Sequence, residues 1–160
     1  VLEDCKGGSL MFTVSKEIEF DAGHRVPNHN SKCRNPHGHR YRVRVSITGT
    51  LVTTPGASNE GMLADFGDLK KIMMELIHDR FDHGTVVWSE DKMFLHALSI
   101  DYTEYDEDPW KVIVVPWIPT AENFAKSIWK TLDQSVWDMG FNMELVEVWE
   151  TPTSLATYKE

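Results

Sequence analysis

Arg40-Tyr-Arg-Val-Arg-Val-Ser-Ile-Thr48 alternates polar and apolar side chains, and no other stretch limits the fold so tightly. A period of two is the signature of a strand with one buried face. The pattern places a strand over residues 39–52, with Tyr41, Val43, Val45 and Ile47 inward and Arg40, Arg42 and Arg44 outward. A second alternating run, Phe12-Thr-Val-Ser-Lys-Glu-Ile-Glu-Phe20, places another over residues 11–21. His37-Gly38-His39 leads into the first of these runs and His24 follows the second. Residues i and i+2 of a strand share a face, so His37 and His39 reach one point at the mouth of the sheet. Three neutral imidazoles converging from adjacent strands match a zinc site whose fourth position is left for water or substrate. Seven histidines make a His-x-His pair unsurprising alone. The assignment rests on its conjunction with His24, Cys33 and the strand behind it.

Cys33 has two readings. As a fourth ligand it closes the site and makes the metal structural. As an unligated thiol beside Arg34 or the metal it is a nucleophile or base. The three outward arginines also have two readings, a phosphate site or the solvated face of an antiparallel sheet, and the second is favoured.

The rest of the chain supplies the partners. Residues 23–36 and 53–61 read as loops. A helix is predicted over 66–81, with Asp65 as N-cap, Asp68 in the first turn, and a stripe of Leu69, Ile72, Met73, Leu76, Ile77 and Phe81. Asp82-His83 ends it, either as a carboxylate–imidazole pair suited to proton relay or as ordinary helix-end charges. Residues 85–110 read as an insertion, apolar pieces followed by an acidic stretch from Asp101 to Asp108, with His96 structural or exposed. Residues 111–117 form a short β-branched strand. Thr120 caps a second helix, buried along Ala121, Phe124, Ala125, Ile128, Leu132 and Val136. Residues 143–151 form a strand ending at Glu150, whose carboxylate is costly to bury without donors, and residues 155–158 form a last edge strand. Residues 1–10, without an initial methionine and containing Gly7-Gly8-Ser9, read as an N-terminal extension or a remnant of cloning, with Cys5 incidental.

The whole predicts α+β architecture, an antiparallel four-stranded sheet with two helices packed on one face, as a single domain over residues 11–160. A net charge of −9 argues against a nucleic-acid partner. No apolar run approaches a membrane span and no leader pattern opens the chain, so a cytoplasmic protein is expected. Two cysteines suggest a reducing compartment, with a bridge between them left open.

Phe20-Asp-Ala-Gly-His24-Arg25 and Cys33-x-x-x-His37-Gly-His39-x-Tyr41 resemble the 6-pyruvoyltetrahydropterin synthase superfamily. Gly61 to Lys70, Phe81-Asp82-His83, Pro119-Thr120-Ala-Glu122-Asn123, and Val148-Trp-Glu150-Thr151 with Tyr158 follow in the same order. The short Cys33–His37 spacing is most like the bacterial 6-carboxy-5,6,7,8-tetrahydropterin synthase branch. The resemblance implies a tunnelling fold whose sheets join edge to edge, two trimers usually stacking into a homohexamer. It implies a zinc ion on His24, His37 and His39, and 7,8-dihydroneopterin triphosphate as substrate. Cys33 is implied as a base, His83 oriented by Asp82 as its partner, and Glu150 as the anchor of the pterin ring, with Thr120 and Glu122 lining the same pocket. The implied product, 6-carboxytetrahydropterin with acetaldehyde and triphosphate released, feeds queuosine synthesis. The neighbouring alternatives are triphosphate elimination to the 6-pyruvoyl product and a non-catalytic zinc or pterin binder. Lys32, Arg34 and His29 are phosphate candidates by charge alone. Pro36 and Gly84-Thr85 depart from the residues common in the family.

Overall fold

The computed structural model describes residues 11–98 and 110–160. The expectations for residues 1–10, Cys5 and the Asp101–Asp108 stretch lie outside the described residues.

Two long strands, β1 (Phe12–His24) and β2 (His37–Gly49), form an antiparallel hairpin through the whole of their length. Phe20 faces Tyr41, Ile18 faces Val43 and Lys16 faces Val45 across the pair. The inward residues Phe20, Tyr41, Val43, Val45 and Ile47 are all buried. On the outer face Arg40 pairs with Asp21 at 3.0 Å, Arg44 reaches Glu17 and Glu147, and Arg42 lies over the Trp149 ring. That is the solvated charge ladder expected of outward arginines.

The expected four-stranded antiparallel sheet is corrected. The sheet has six strands in the order β4-β3-β1-β2-β5-β6, and it is mixed. β3 (Gly84–Trp88) runs parallel to β1 and to β4 (Val112–Val115), whereas β5 (Asn142–Thr151) and β6 (Ser154–Tyr158) extend the antiparallel side. Val86 and Val87 are buried on opposite faces of β3, so the strand carries no alternation to read. Gly84 opens it because a Cβ there would stand 2.1 Å from Ile113 Cδ1 and 3.2 Å from the Phe81 carbonyl.

The helix over 66–81 is continuous. It comprises α1 (Phe66–Met73), a π-helical stretch Met74–His78 and α2 (Asp79–Phe81), with Asp65 accepting from the Gly67 N–H at 2.6 Å as N-cap. His83 turns the chain out of it at φ 57°, and Lys111 Nζ donates to the Asp79 and Asp82 carbonyls, each at 2.8 Å. Those are carbonyls that a helix end leaves without partners. A short helix, α3 (Lys92–Leu98), follows β3. α4 (Ala121–Asp138) starts at Thr120, whose side chain accepts from the Asn123 N–H. Leu69 and Met73 of α1, with Phe124, Ile128, Leu132 and Val136 of α4, share one core with the inner face of the sheet.

An aromatic cluster crosses that core. The Phe124 ring centroid lies 4.8 Å from Tyr41, 5.2 Å from Trp117, 5.4 Å from Phe81 and 6.2 Å from Phe20. Replacing it leaves a cavity touching helix and sheet together. Phe124→Ala is expected to lower the unfolding free energy by roughly 3–5 kcal/mol, read from urea denaturation of the metal-loaded protein.

Candidate active site

The three histidines, Cys33, Thr120, Glu122 and Glu150 lie at or near one end of the sheet. β1 ends there, β2 and β3 begin there, β5 ends there, and α4 starts against it. The hairpin register sets the centre. His24 stands directly opposite His37, and His39 opposite Ala22, so all three imidazoles share the inner face. Their ligand atoms lie within 4.8 Å of one another. Cys33, a free thiol in the 3₁₀ turn Lys32–Arg34 of the hairpin loop, stands outside that group.

The second nitrogens fix the tautomers. His24 Nδ1 donates to the Pro119 carbonyl at 2.6 Å, and His37 Nδ1 donates to the Asn35 carbonyl at 2.8 Å. In each ring Nε2 is then left as a bare lone pair. His24 is 1% exposed, and its burial depresses its pKa to about 4, with His37 and His39 pushing the same way and the Pro119 bond opposing. Burial also lowers the pKa of His39, against the charge of Glu150. The Nε2 atoms of His24 and His39 are buried and make no hydrogen bond. Glu150 Oε1 faces both, 3.4 Å from His24 Nε2 and 3.8 Å from His39 Nε2. A neutral imidazole lone pair opposite a carboxylate oxygen is acceptor against acceptor, which a cation between them relieves. The donor set therefore fits a metal, and three imidazoles suit zinc chemistry.

The floor of the site is apolar, and the Tyr41 ring touches His24 and His39 edge-on at 5.9 and 5.7 Å. Burial, then the charge of Glu150 and its approach to the hydroxyl, raises the pKa of the Tyr41 phenol. Sequence reading placed Tyr41 as an inward strand residue and in the motif shared with the family, without a role in the site. Beside the imidazoles a cavity of about 250 Å³ brings together His24, His29, Cys33, Thr120, Glu122 and Glu150. Lys32 and Arg34 are exposed and do not line it.

Asp82 and His83 sit apart. His83 Nδ1 donates to Asp82 Oδ2 at 2.7 Å, and Asp82 Oδ1 accepts from the Asp21 N–H at 3.0 Å. The Asp21 bond, then His83, holds the Asp82 carboxyl below its usual range. His83 is 79% exposed and lines a different cavity, whose wall also includes Asp21, Gly38, His39 and Arg40. The pair is formed, but it does not reach the Cys33 cavity of its own chain.

The depressed pKa of His24 sets a pH dependence for the metal-free protein. The unfolded imidazole takes up its proton near 6.5 and the folded one near 4, so stability is fully present above about 6.5 and is lost as pH falls through about 4. The loss is on the order of 3 kcal/mol. Urea midpoints of chelator-treated protein across this window are expected to fall with pH, and His24→Gln should flatten that dependence.

The chain matches the profile of the 6-pyruvoyl tetrahydropterin synthase family over residues 13–160. It is 33% identical to the 6-carboxy-5,6,7,8-tetrahydropterin synthase of Haemophilus influenzae over 150 residues, covering 94% of this chain and 100% of that one. The protein of the same name from Synechocystis is 31% identical, with 92% and 93% covered. Among solved structures, an uncharacterized protein from Wolinella succinogenes superposes with a TM-score of 0.75 at 24% identity, covering 94% of this chain and 98% of that one. The Caenorhabditis elegans 6-pyruvoyl tetrahydropterin synthase gives 0.64, also at 24% identity, with 95% and 97% covered. The site thus sits on a fold shared along nearly the whole chain, and the protein belongs to the 6-pyruvoyl tetrahydropterin synthase family.

Proposed function

We propose that the protein is a zinc-dependent 6-carboxy-5,6,7,8-tetrahydropterin synthase, converting 7,8-dihydroneopterin triphosphate and one water to 6-carboxytetrahydropterin, acetaldehyde and triphosphate. The observation that carries the reading is the set of unpartnered imidazole nitrogens facing Glu150 beside a cavity that holds a thiol. The curated relatives bearing that name support the branch.

His24, His37 and His39 would hold the zinc, which supplies Lewis acidity toward the oxygens of the substrate side chain. Glu150 accepts the paired donors of the pterin, its 2-amino group and ring N–H, in the two-point manner open to a carboxylate. Cys33 removes a proton from the side chain as its thiolate, and Thr120 and Glu122 bound the space beside it. Tyr41 and the rings beneath it exclude water from the floor.

His83 is the second acid–base group. Its Nδ1–H is committed to Asp82, so Nε2 is the atom that takes or gives a proton. Because the pair does not line the Cys33 cavity of its own chain, His83 serves the cavity of a neighbouring subunit in a homo-oligomer, a hexamer by family analogy. Of the insertion expected over 85–110, residues 85–88 belong to the sheet as β3.

Zinc-loaded protein incubated with dihydroneopterin triphosphate is expected to release acetaldehyde and a 6-carboxypterin detected by mass. A 6-pyruvoyl product would move the protein to the sister activity, and no turnover would overturn the reading. Cys33→Ala is expected to keep zinc and fold while kcat falls on the order of 100-fold or more. Full retained activity would remove Cys33 from the mechanism.

The shared-site reading has its own test. Cys33→Ala and His83→Ala, each inactive alone, are expected to recover activity when their subunits are mixed and reassembled. Mixed oligomers that stay inactive would place both groups in one subunit's chemistry and sink the neighbour assignment.

A further inference from the structure

Arg25 follows the metal-ligand candidate His24 and, by strand alternation, leaves the imidazole face. It is nevertheless 8% exposed, and so is buried although it carries a full charge. Its partner is Asp91, 5% exposed, from the stretch least legible in sequence. The pairing is bidentate, Nε to Oδ2 at 2.6 Å and one terminal nitrogen to Oδ1 at 2.5 Å. Asp91 is itself fixed, because Oδ1 also accepts the Phe94 N–H at 3.2 Å and so caps the start of α3. The other terminal nitrogen of Arg25 donates to the Arg34 carbonyl at 3.2 Å, and the Val26 N–H donates to the Cys33 carbonyl at 2.8 Å. The two carbonyls at and after the thiol are thus tied to the two residues after His24.

We propose that Arg25, held by Asp91, is the positioning residue for Cys33, fixing the distance from the thiol to the imidazole cluster. The inference rests on the reading of Cys33 as the base. The loop from 27 to 31 that spans the gap is ordered by short-range bonds, His29 N–H to the Val26 carbonyl at 3.1 Å and Ser31 N–H to His29 Nδ1 at 3.0 Å, which do not join His24 to Cys33. The guanidinium fork sets a fixed separation, because its planar geometry admits one arrangement of carboxylate and carbonyl. Each charge also strengthens the other's hold. Asp91 keeps the Arg25 pKa above its usual value, and Arg25 keeps the Asp91 carboxyl below its own. A second consequence follows for residues 89–98. Through Asp91 the segment after β3 supports the active-site loop.

The test uses the full zinc-loaded chain with Asp91→Asn, which keeps a capping side chain but removes the charge. Hydrogen exchange at the Val26 amide reads the turn directly. It is expected to accelerate on the order of 10-fold or more, while the Val43 and Val45 amides stay protected. Zinc stoichiometry should hold at the parent value, and kcat should fall on the order of 10-fold to 100-fold with KM within about twofold. Unchanged Val26 exchange would overturn the proposal whatever happens to turnover. Should Asp91→Asn fail to fold, the double replacement Arg25→Met with Asp91→Leu fills the space without a buried charge and cannot hold the Arg34 carbonyl. It is held to the same outcomes. Cys33→Ala run alongside separates the two readings. If that variant keeps full activity the functional role of the thiol falls, and Val26 exchange alone then decides whether Arg25 holds the turn.

Discussion

The pairing of His24 with His37 across the β1–β2 hairpin is the constraint on which the rest depends. Antiparallel pairing puts these two side by side on one face, and the two-residue period adds His39 to the same face. A slip of β2 by one residue would send His37 and His39 to the other face, away from His24, and expose Tyr41 and Val43 with them. The register that buries the core therefore also assembles the metal-binding cluster. Selection for one cannot be separated from selection for the other, because Phe20 faces Tyr41 only two pairs below Ala22 and His39.

The two faces of the same hairpin divide the labour of the site. The inner face offers an apolar floor that keeps imidazoles neutral and ready to donate lone pairs. The outer face carries Asp21, whose side chain neutralises Arg40 while its N–H and carbonyl hold Asp82 and His83. One residue position thus separates the metal-ligand candidates from the carboxylate–imidazole pair. The helix before that pair ends in a π-helical stretch and a left-handed His83, and Lys111 neutralises its carbonyl end. Backbone irregularities of this sort cluster where a side chain must be aimed rather than merely buried.

Much of this was legible in the chain because it is periodic or local. Alternation from Arg40 to Thr48 revealed β2 and the shared face of His37 and His39. Asp65 and Thr120 announced two helix starts through cap chemistry that involves only the next three residues. β3 was not legible, since a short strand buried on both faces is a bare apolar run without a period. Its parallel pairing to β1 and β4 is a long-range event, and so is the meeting of Arg25 with Asp91, 66 positions apart. Tyr41 was assigned to the core correctly, but its hydroxyl lies among polar groups that only the folded chain brings together. The placement of His83 away from the Cys33 cavity was equally invisible, because adjacency of Asp82 and His83 in sequence says nothing about which face of the sheet they reach.

Glu150 links these observations to function through electrostatics. Burial and the Pro119 carbonyl together make the His24 Nε2 a bare acceptor, and β5 delivers a carboxylate oxygen in front of it. Left alone, that opposition raises the energy of the folded state. A proton on the ring relieves it at the cost of charging an imidazole that burial holds neutral, whereas a divalent cation relieves it without protonating any group. Metal binding at this place therefore adds to folding stability as well as to chemistry. The same burial that makes the imidazoles good ligands makes the empty site sensitive to acid, so affinity for the ion and tolerance of low pH are two readings of one desolvated pocket.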